Sequence, residues 1–166
     1  MIKRFVLLVL LVSISIQGCS TETSNANTTN YSKVFEYSNV NFFPNQYSAL
    51  LNFPYTLSNS DMVLVYRLSG SFQGEAIWKP LPETYFFDDG TLDIRYDYNF
   101  TRFDAEVRLE GYDLQGVSNN FKLNQVFRVV VIPGIFGKNK TLNSKNYKTV
   151  ITSLSIDENQ IIKIKL

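Results

Sequence analysis

The chain has 166 residues, among them 16 Lys and Arg, 15 Asp and Glu, one cysteine and no histidine. Without histidine, the chain lacks the commonest general base and the commonest transition-metal ligand, so Ser-His-Asp and Cys-His catalytic systems and Cys/His zinc sites are excluded. The near balance of charge differs from the basic surface of a nucleic-acid binder. We therefore predict no cofactor, no metal and no nucleic-acid partner.

The N-terminal segment has the features of a secretory signal. A basic start, Met1–Arg4, precedes an apolar run of 12 residues, Phe5–Ile16. A membrane-spanning helix needs about 20 such residues, so the run indicates a signal peptide instead. Gly18-Cys19 closes the segment and resembles the lipobox of bacterial lipoproteins. The resemblance implies removal of residues 1–18 and lipidation of Cys19. An ordinary secretory signal with an incidental cysteine is the alternative.

Residues 19–32 are predicted to be a lipidated cysteine followed by a flexible tether. Ser20–Asn30 has no large apolar side chain and is rich in Ser, Thr and Asn, so it cannot bury enough surface to order itself. We expect the protein to lie in the bacterial cell envelope and to be anchored to a membrane through lipidated Cys19. Ser20 stands where aspartate retains enterobacterial lipoproteins in the inner membrane, which favours the outer membrane by analogy. The side of that membrane is left open.

After the tether, short segments rich in Val, Ile, Tyr and Phe alternate with Asn, Gly, Pro and Ser, which is typical of many short strands. The predicted strands are Val34–Ser38, Tyr47–Phe53, Met62–Leu68, Glu75–Lys79, Thr84–Asp88, Leu92–Tyr98, Ala105–Glu110 and Val126–Ile132. Several alternate between apolar and polar residues, as strands of an antiparallel sheet with one buried face do. The last is more continuously apolar, which predicts a central strand covered on both sides.

Two hairpins are predicted along this stretch. Asp89-Gly90 favours a two-residue turn that sets Phe87 opposite Leu92 in the core and leaves Phe86 exposed. The next hairpin joins Leu92–Tyr98 to Ala105–Glu110.

The register of the second hairpin is predicted from its charges. One register places Arg95 opposite Arg108 and makes every polar pair like-charged, which is unfavourable. We therefore predict one of the two registers shifted by two residues. These pair either Asp97 with Arg108 or Arg95 with Glu106.

The C-terminal region breaks the strand pattern. Apolar side chains at Tyr147, Val150, Ile151 and Leu154 share one face of a helix, with Ser144 or Asn143 as the expected N-cap. A final strand is expected around Ile161–Ile164. The fold class predicted for residues 33–166 is an all-β, immunoglobulin-like antiparallel β-sandwich with a short C-terminal helix.

From about Val34 onward the chain resembles a group of uncharacterised small β-sandwich lipoproteins of Bacteroidota. The motifs that carry the resemblance are Ala76-Ile77-Trp78 with Pro80 and Pro82, Asp104–Arg108, Phe127–Gly134 and the helix start Asn146-Tyr147. The resemblance covers most of the mature chain. It implies a lipid-anchored β-sandwich and carries over no catalytic residue.

The candidate ligand-binding residues are aromatic. With 10 Tyr, 13 Phe and one Trp, the chain has more aromatic side chains than recognition needs, and most are expected to fill the core. Trp78, Phe86, Phe100 and Phe103 are the candidates for exposed platforms, which bind sugars or peptides through large rigid surfaces. Two less favoured alternatives are a calcium site at Asp88, Asp89 and Asp93 and a glycosidase pair at Asp97 and Glu106.

These observations predict a lipoprotein that is not an enzyme and whose β-sandwich recognises or supports an envelope partner. The alternative is a glycan-binding accessory module that uses exposed aromatics. A small glycan-active enzyme is a distant third.

Overall fold

The structure, a computed structural model, describes residues 31–136 and 142–166. The predicted signal peptide, Cys19 and the tether up to Asn30 lie outside these residues. Within them the chain forms nine strands. They are β1 (Lys33–Val40), β2 (Ser48–Asn52), β3 (Met62–Phe72), β4 (Glu75–Pro80), β5 (Glu83–Phe86), β6 (Leu92–Phe100), β7 (Asp104–Gly111), β8 (Gln125–Ile132) and β9 (Ile162–Lys165). The helices are α1 (Asn119–Lys122), α2 (Tyr147–Ser153) and a 3-10 turn (Glu158–Gln160).

The strands form a sandwich of two packed sheets. Sheet A has the order β4-β3-β8-β1-β9, and sheet B has the order β2-β7-β6-β5. All neighbours are antiparallel except β1 and β9, which run parallel. The predicted all-β sandwich with a short C-terminal helix is confirmed.

The main core lies between the sheets and is built by the inward side of each alternating strand. Its largest fully buried side chains are Tyr37, Tyr96, Phe35, Phe42, Phe127, Leu51, Leu57 and Ile94. Strand β8 occupies the centre of sheet A and is buried along most of its length. The prediction of a central, doubly covered strand is confirmed, because sheet B packs on one of its faces and a second apolar cluster on the other.

That second cluster lies on the outer face of sheet A, under α2. Tyr147, Val150, Ile151 and Leu154 are all buried there, as the helical spacing predicted. The predicted cap is wrong. Asn146 caps the helix by accepting a hydrogen bond from the backbone of Thr149 at 3.0 Å. The Asn143 side chain instead accepts from the backbone N–H of Lys145, which places it in the turn before the helix.

The β5–β6 hairpin differs from its predicted form. Tyr85 is opposite Ile94 as expected, but a bulge follows and Phe86 is opposite Leu92. The turn has three residues, and only Gly90 takes a positive φ, +84°. This is the geometry of a type I turn closed by a left-handed glycine. As a result Phe87 and Leu92 are 46% and 40% exposed, and their predicted core positions are wrong.

The observed register of the β6–β7 hairpin is one of the two that were predicted. Asp97 is opposite Arg108 and Arg95 is opposite Glu110, so like charges do not face each other directly. The prediction of a register shifted by two residues is confirmed. This register leaves a tight loop, Thr101–Phe103, which is closed by a hydrogen bond from the Thr101 hydroxyl to the Asp104 carboxylate at 2.8 Å.

Candidate functional site

A buried charge network that was not predicted from the sequence joins the two sheets. Arg67 on β3 and Glu83 on β5 are only 4% and 7% exposed. The Arg67 guanidinium donates to both Glu83 carboxylate oxygens, at 2.7 and 3.3 Å, and to Gln125 Oε1 at 2.9 Å. The sequence did hold one indication that Arg67 is buried. Because side chains alternate along a strand, Arg67 lies on the same core-facing side of β3 as Val63 and Val65.

The network is saturated with hydrogen bonds. Tyr85 receives a bond from Arg67 at 2.7 Å and donates to Glu83 at 2.6 Å, while Lys79 lies 3.2 Å from the same carboxylate. Burial alone would raise the pKa of Glu83, but the hydrogen bonds from Arg67 and Tyr85 outweigh it and hold that pKa below its usual value. Burial and the Glu83 contact raise the pKa of Tyr85 to about 12. This arrangement locks β5 to sheet A.

Trp78 belongs to a second, half-buried cluster and is not an open platform. The Arg128 guanidinium lies 4.2 Å from its ring centre, and the Tyr147 ring lies 5.6 Å away. Arg128 also bonds Glu36 at 2.9 Å, Glu158 at 2.7 Å and the Tyr147 hydroxyl at 2.6 Å. Its contacts tie α2 to sheet A. Arg128 and Tyr147 therefore occupy part of the ring surface that a ligand would use.

The other three predicted aromatics are exposed but do not form one site. Phe86 is 63% exposed and pairs with Leu92 at the start of β6. Phe100 and Phe103, 44% and 60% exposed, lie at and just after the end of that strand. A nine-residue strand separates the two groups by roughly 26 Å. The molecule therefore presents apolar side chains at two opposite ends.

We call the end that includes the β5–β6 turn the far end. Phe86, Phe87, Leu92 and Tyr112 lie there, and Tyr112 is 87% exposed. The register places them together, because Phe86 is opposite Leu92 and the Tyr112 N–H bonds the Asp93 carbonyl at 3.2 Å. Of these four side chains only Phe86 was predicted to be exposed, because the bulge that exposes Phe87 and Leu92 was not expected from the sequence.

The far end is also acidic. The strand ends and turns that form it, residues 86–93 and 110–113, carry five acidic side chains and no basic one. Asp88 and Asp89 lie in the turn itself, and Asp93 and Asp113 lie beside Leu92 and Tyr112 in the sequence. The far-end surface therefore combines exposed rings with carboxylates, which suits a partner that offers both apolar area and hydrogen-bond donors or cations.

The calcium alternative at Asp88, Asp89 and Asp93 has no support. Asp89 accepts hydrogen bonds from the Thr91 N–H at 2.9 Å and the Thr91 hydroxyl at 2.7 Å, which lower its pKa. Across residues 31–136 and 142–166, no three acidic, Cys or His side chains lie close enough together to hold a metal ion. The aspartate at the turn organises the hairpin backbone.

The carboxylates Asp97 and Glu106 do not face each other. Asp97 is opposite Arg108, and Glu106 is opposite Asn99, so the two acids are diagonal neighbours on the outer face of sheet B. Asp97 pairs with Arg95, and Glu106 lies 3.5 Å from Arg108. The less favoured alternative, a facing glycosidase pair, is therefore not formed, because the register that relieves charge repulsion separates the two acids.

Two cavities lie away from the far end. One of about 780 Å³ is lined mainly by apolar residues, among them Val34, Phe136, Leu154, Ile156 and Ile161. It opens beside Tyr31, where the described chain begins. The other, of about 380 Å³, lies between β3, the Pro80–Pro82 turn and Ser144. Neither is lined by any of the four predicted aromatics.

Comparison with known proteins returned no matching family model, no matching curated protein and no matching solved structure. None of the helices in the described part of the chain is both long and apolar enough to cross a membrane.

Proposed function

We propose that this chain is a lipid-anchored, non-catalytic domain of the bacterial cell envelope that recognises or supports a partner through its far end. The observation that carries the proposal is the far-end surface of Phe86, Phe87, Leu92 and Tyr112, intermixed with aspartates. Contiguous exposed apolar side chains rimmed by polar residues mark interaction sites. Scattered single apolar residues would not carry the same weight.

The far-end surface rests on a rigid support. Strand β5, which presents Phe86, is held by the buried contacts of Glu83 and Tyr85 with Arg67. The turn is closed by Gly90 and by the Asp89 bonds to Thr91. A preorganised aromatic surface loses little conformational entropy on binding, and buried aromatics dominate binding energy at interfaces.

We expect a photo-crosslinking amino acid placed at Phe86 or Tyr112 to capture the same discrete partner in living cells. The matched control is the same amino acid at Lys148, which is exposed on α2 behind sheet A. Adducts are resolved by mass and identified by mass spectrometry. Identical adducts from Lys148, or none from either far-end position, would count against the proposal.

A second candidate is glycan binding at the same surface. Exposed rings beside carboxylates, as at Tyr112 and Asp113, are the groups that stack on sugar faces and accept bonds from sugar hydroxyls. If glycans are the ligand, Tyr112→Ala is expected to reduce retention on immobilised envelope polysaccharide at least tenfold. Tyr31→Ala, at a ring outside this surface that is also largely exposed, is expected to leave retention unchanged. Equal loss in both variants would contradict a far-end glycan site.

A further inference from the structure

We infer that the opposite end of the sandwich lies against the bilayer that holds the lipid anchor, with its exposed apolar side chains in the headgroup region. We call this end, where the described chain begins at Tyr31, the tether end. The inference rests on the lipid anchor of the proposed function. It adds a second interaction surface and fixes the orientation of the domain.

Strand register gathers four exposed apolar side chains at the tether end of sheet A. Lys33, at the start of β1, is opposite Val131 near the end of β8, and Met62, at the start of β3, is opposite Ile132. Parallel β9 begins beside Phe35. The exposed side chains at these strand ends are Tyr31 (77%), Met62 (52%), Ile135 (63%) and Ile162 (43%).

Sheet B contributes two more apolar side chains to the same end. The Tyr98 hydroxyl near the end of β6 bonds the Val63 carbonyl near the start of β3 at 3.0 Å, so these strand ends are neighbours. Phe100 and Phe103 follow Tyr98 and are exposed. Two of the four predicted ligand aromatics therefore belong to the tether end.

The connection to Cys19 indicates that the partner of this surface is the bilayer, because the chain that leads from Cys19 joins the domain at Tyr31. Eleven residues, 20–30, lie between Cys19 and Tyr31, so the tether end is within about 40 Å of the lipid even at the full extension of that segment. At that distance the bilayer is present at a high effective concentration.

The chemistry of the tether end also fits a bilayer surface. Its exposed apolar and aromatic side chains lie among both lysines, Lys33 and Lys163, and acids, Asp61 and Asp104, so this end has no excess of negative charge. Apolar and aromatic side chains with lysines beside them are typical of surfaces that lie in the headgroup region. The acidic cluster of residues 88–93 is at the other end, where it avoids repulsion by anionic lipids. With the tether end on lipid, Phe86 and Tyr112 face away from the membrane.

The test uses the absence of other thiols. If Cys19 is lipidated, a cysteine introduced elsewhere is the only free thiol, so it can be labelled uniquely with a small fluorophore. Ile135→Cys and Tyr112→Cys are matched exposed positions at the two ends. The full mature lipoprotein is bound to vesicles carrying lipids with a nitroxide near the top of the acyl chain. We expect the label at residue 135 to be quenched several-fold more than the label at residue 112.

The control separates this inference from the proposed function. Flotation of the vesicles first shows whether the wild-type protein is bound and whether Cys19→Ser protein is released. If binding does not depend on Cys19, the lipid anchor itself is wrong. If the wild-type protein floats with the vesicles but both labels are quenched equally, the anchor stands and the docked orientation is wrong. Circular dichroism of each labelled protein verifies that the fold is retained.

Discussion

Replacing Glu83 with leucine is expected to lower the free energy of unfolding by about 3–5 kcal/mol, because it leaves the Arg67 guanidinium buried without its counter-charge. The double change Arg67→Met with Glu83→Leu removes both charges and keeps apolar volume. It is therefore expected to recover much of that loss. Urea denaturation of the three proteins measures the differences. If Glu83→Leu alone lowers the free energy of unfolding by less than the double change does, the coupling between these two residues is contradicted.

A matched control for this comparison lies on the outer face of sheet B. Arg95 and Asp97 also form an ion pair, but their side chains are 38% and 23% exposed. Solvent screens such a pair, so Asp97→Asn is expected to cost only about 0–1 kcal/mol. Equal costs at Glu83 and Asp97 would show that burial does not decide the size of the effect.

The stabilisation from Glu83 should also depend on pH in a defined direction. Its folded-state pKa lies below the ordinary value of 4.5, because the bonds from Arg67 and Tyr85 outweigh the effect of burial. A carboxylate of this kind stabilises the fold fully above its unfolded-state pKa, and the contribution is lost as the pH falls below that value. The stability difference between wild type and Glu83→Leu should therefore shrink on acidification below about pH 4.5.

Replacing Arg128 with leucine is expected to lower the free energy of unfolding by about 2–4 kcal/mol and to alter the emission of Trp78, the only tryptophan. Arg128 is 13% exposed in its side chain and bonds Glu36, which is 17% exposed. Its loss leaves that carboxylate poorly solvated and removes the cation over the Trp78 ring. Chemical denaturation followed by tryptophan fluorescence measures both effects together.

Arg128→Lys is the control that separates charge from shape. Lysine keeps the positive charge, but its ammonium cannot bond Glu36 and Glu158 in a planar fork while lying flat on an aromatic ring. We expect an intermediate stability and a partial change in Trp78 emission. If lysine restores wild-type behaviour in full, then charge alone holds α2 to sheet A, and the stacked geometry is unimportant.

Local patterns in the sequence were sufficient for the strands and the C-terminal helix. Alternation in Leu92–Tyr98 and Ala105–Glu110 identified β6 and β7, and their charges selected registers without facing arginines. The spacing of Tyr147, Val150 and Ile151 identified α2. Each of these inferences concerns residues that are neighbours in the chain or lie across one short hairpin, where side-chain direction follows directly from strand or helix periodicity.

The candidate surfaces could not be predicted from local sequence patterns in the same way. A bulge of one residue moved Phe87 and Leu92 out of their expected core positions, and such a bulge has no clear signal in an apolar run. The gathering of Tyr31, Met62 and Ile135 at one end depends on β1, β3 and β8 being neighbours in sheet A.

The ion pair of Arg67 with Glu83 also separates what the sequence determines from what only the tertiary structure decides. Alternation places Arg67 on an inward face, yet nothing near it in sequence supplies its counter-charge. Glu83 is 16 residues away and lies on the other sheet, and Gln125 is 58 residues away. Periodicity indicates which face of a strand is buried. It does not indicate which strand lies across the core, because that choice depends on the packing of the whole sandwich.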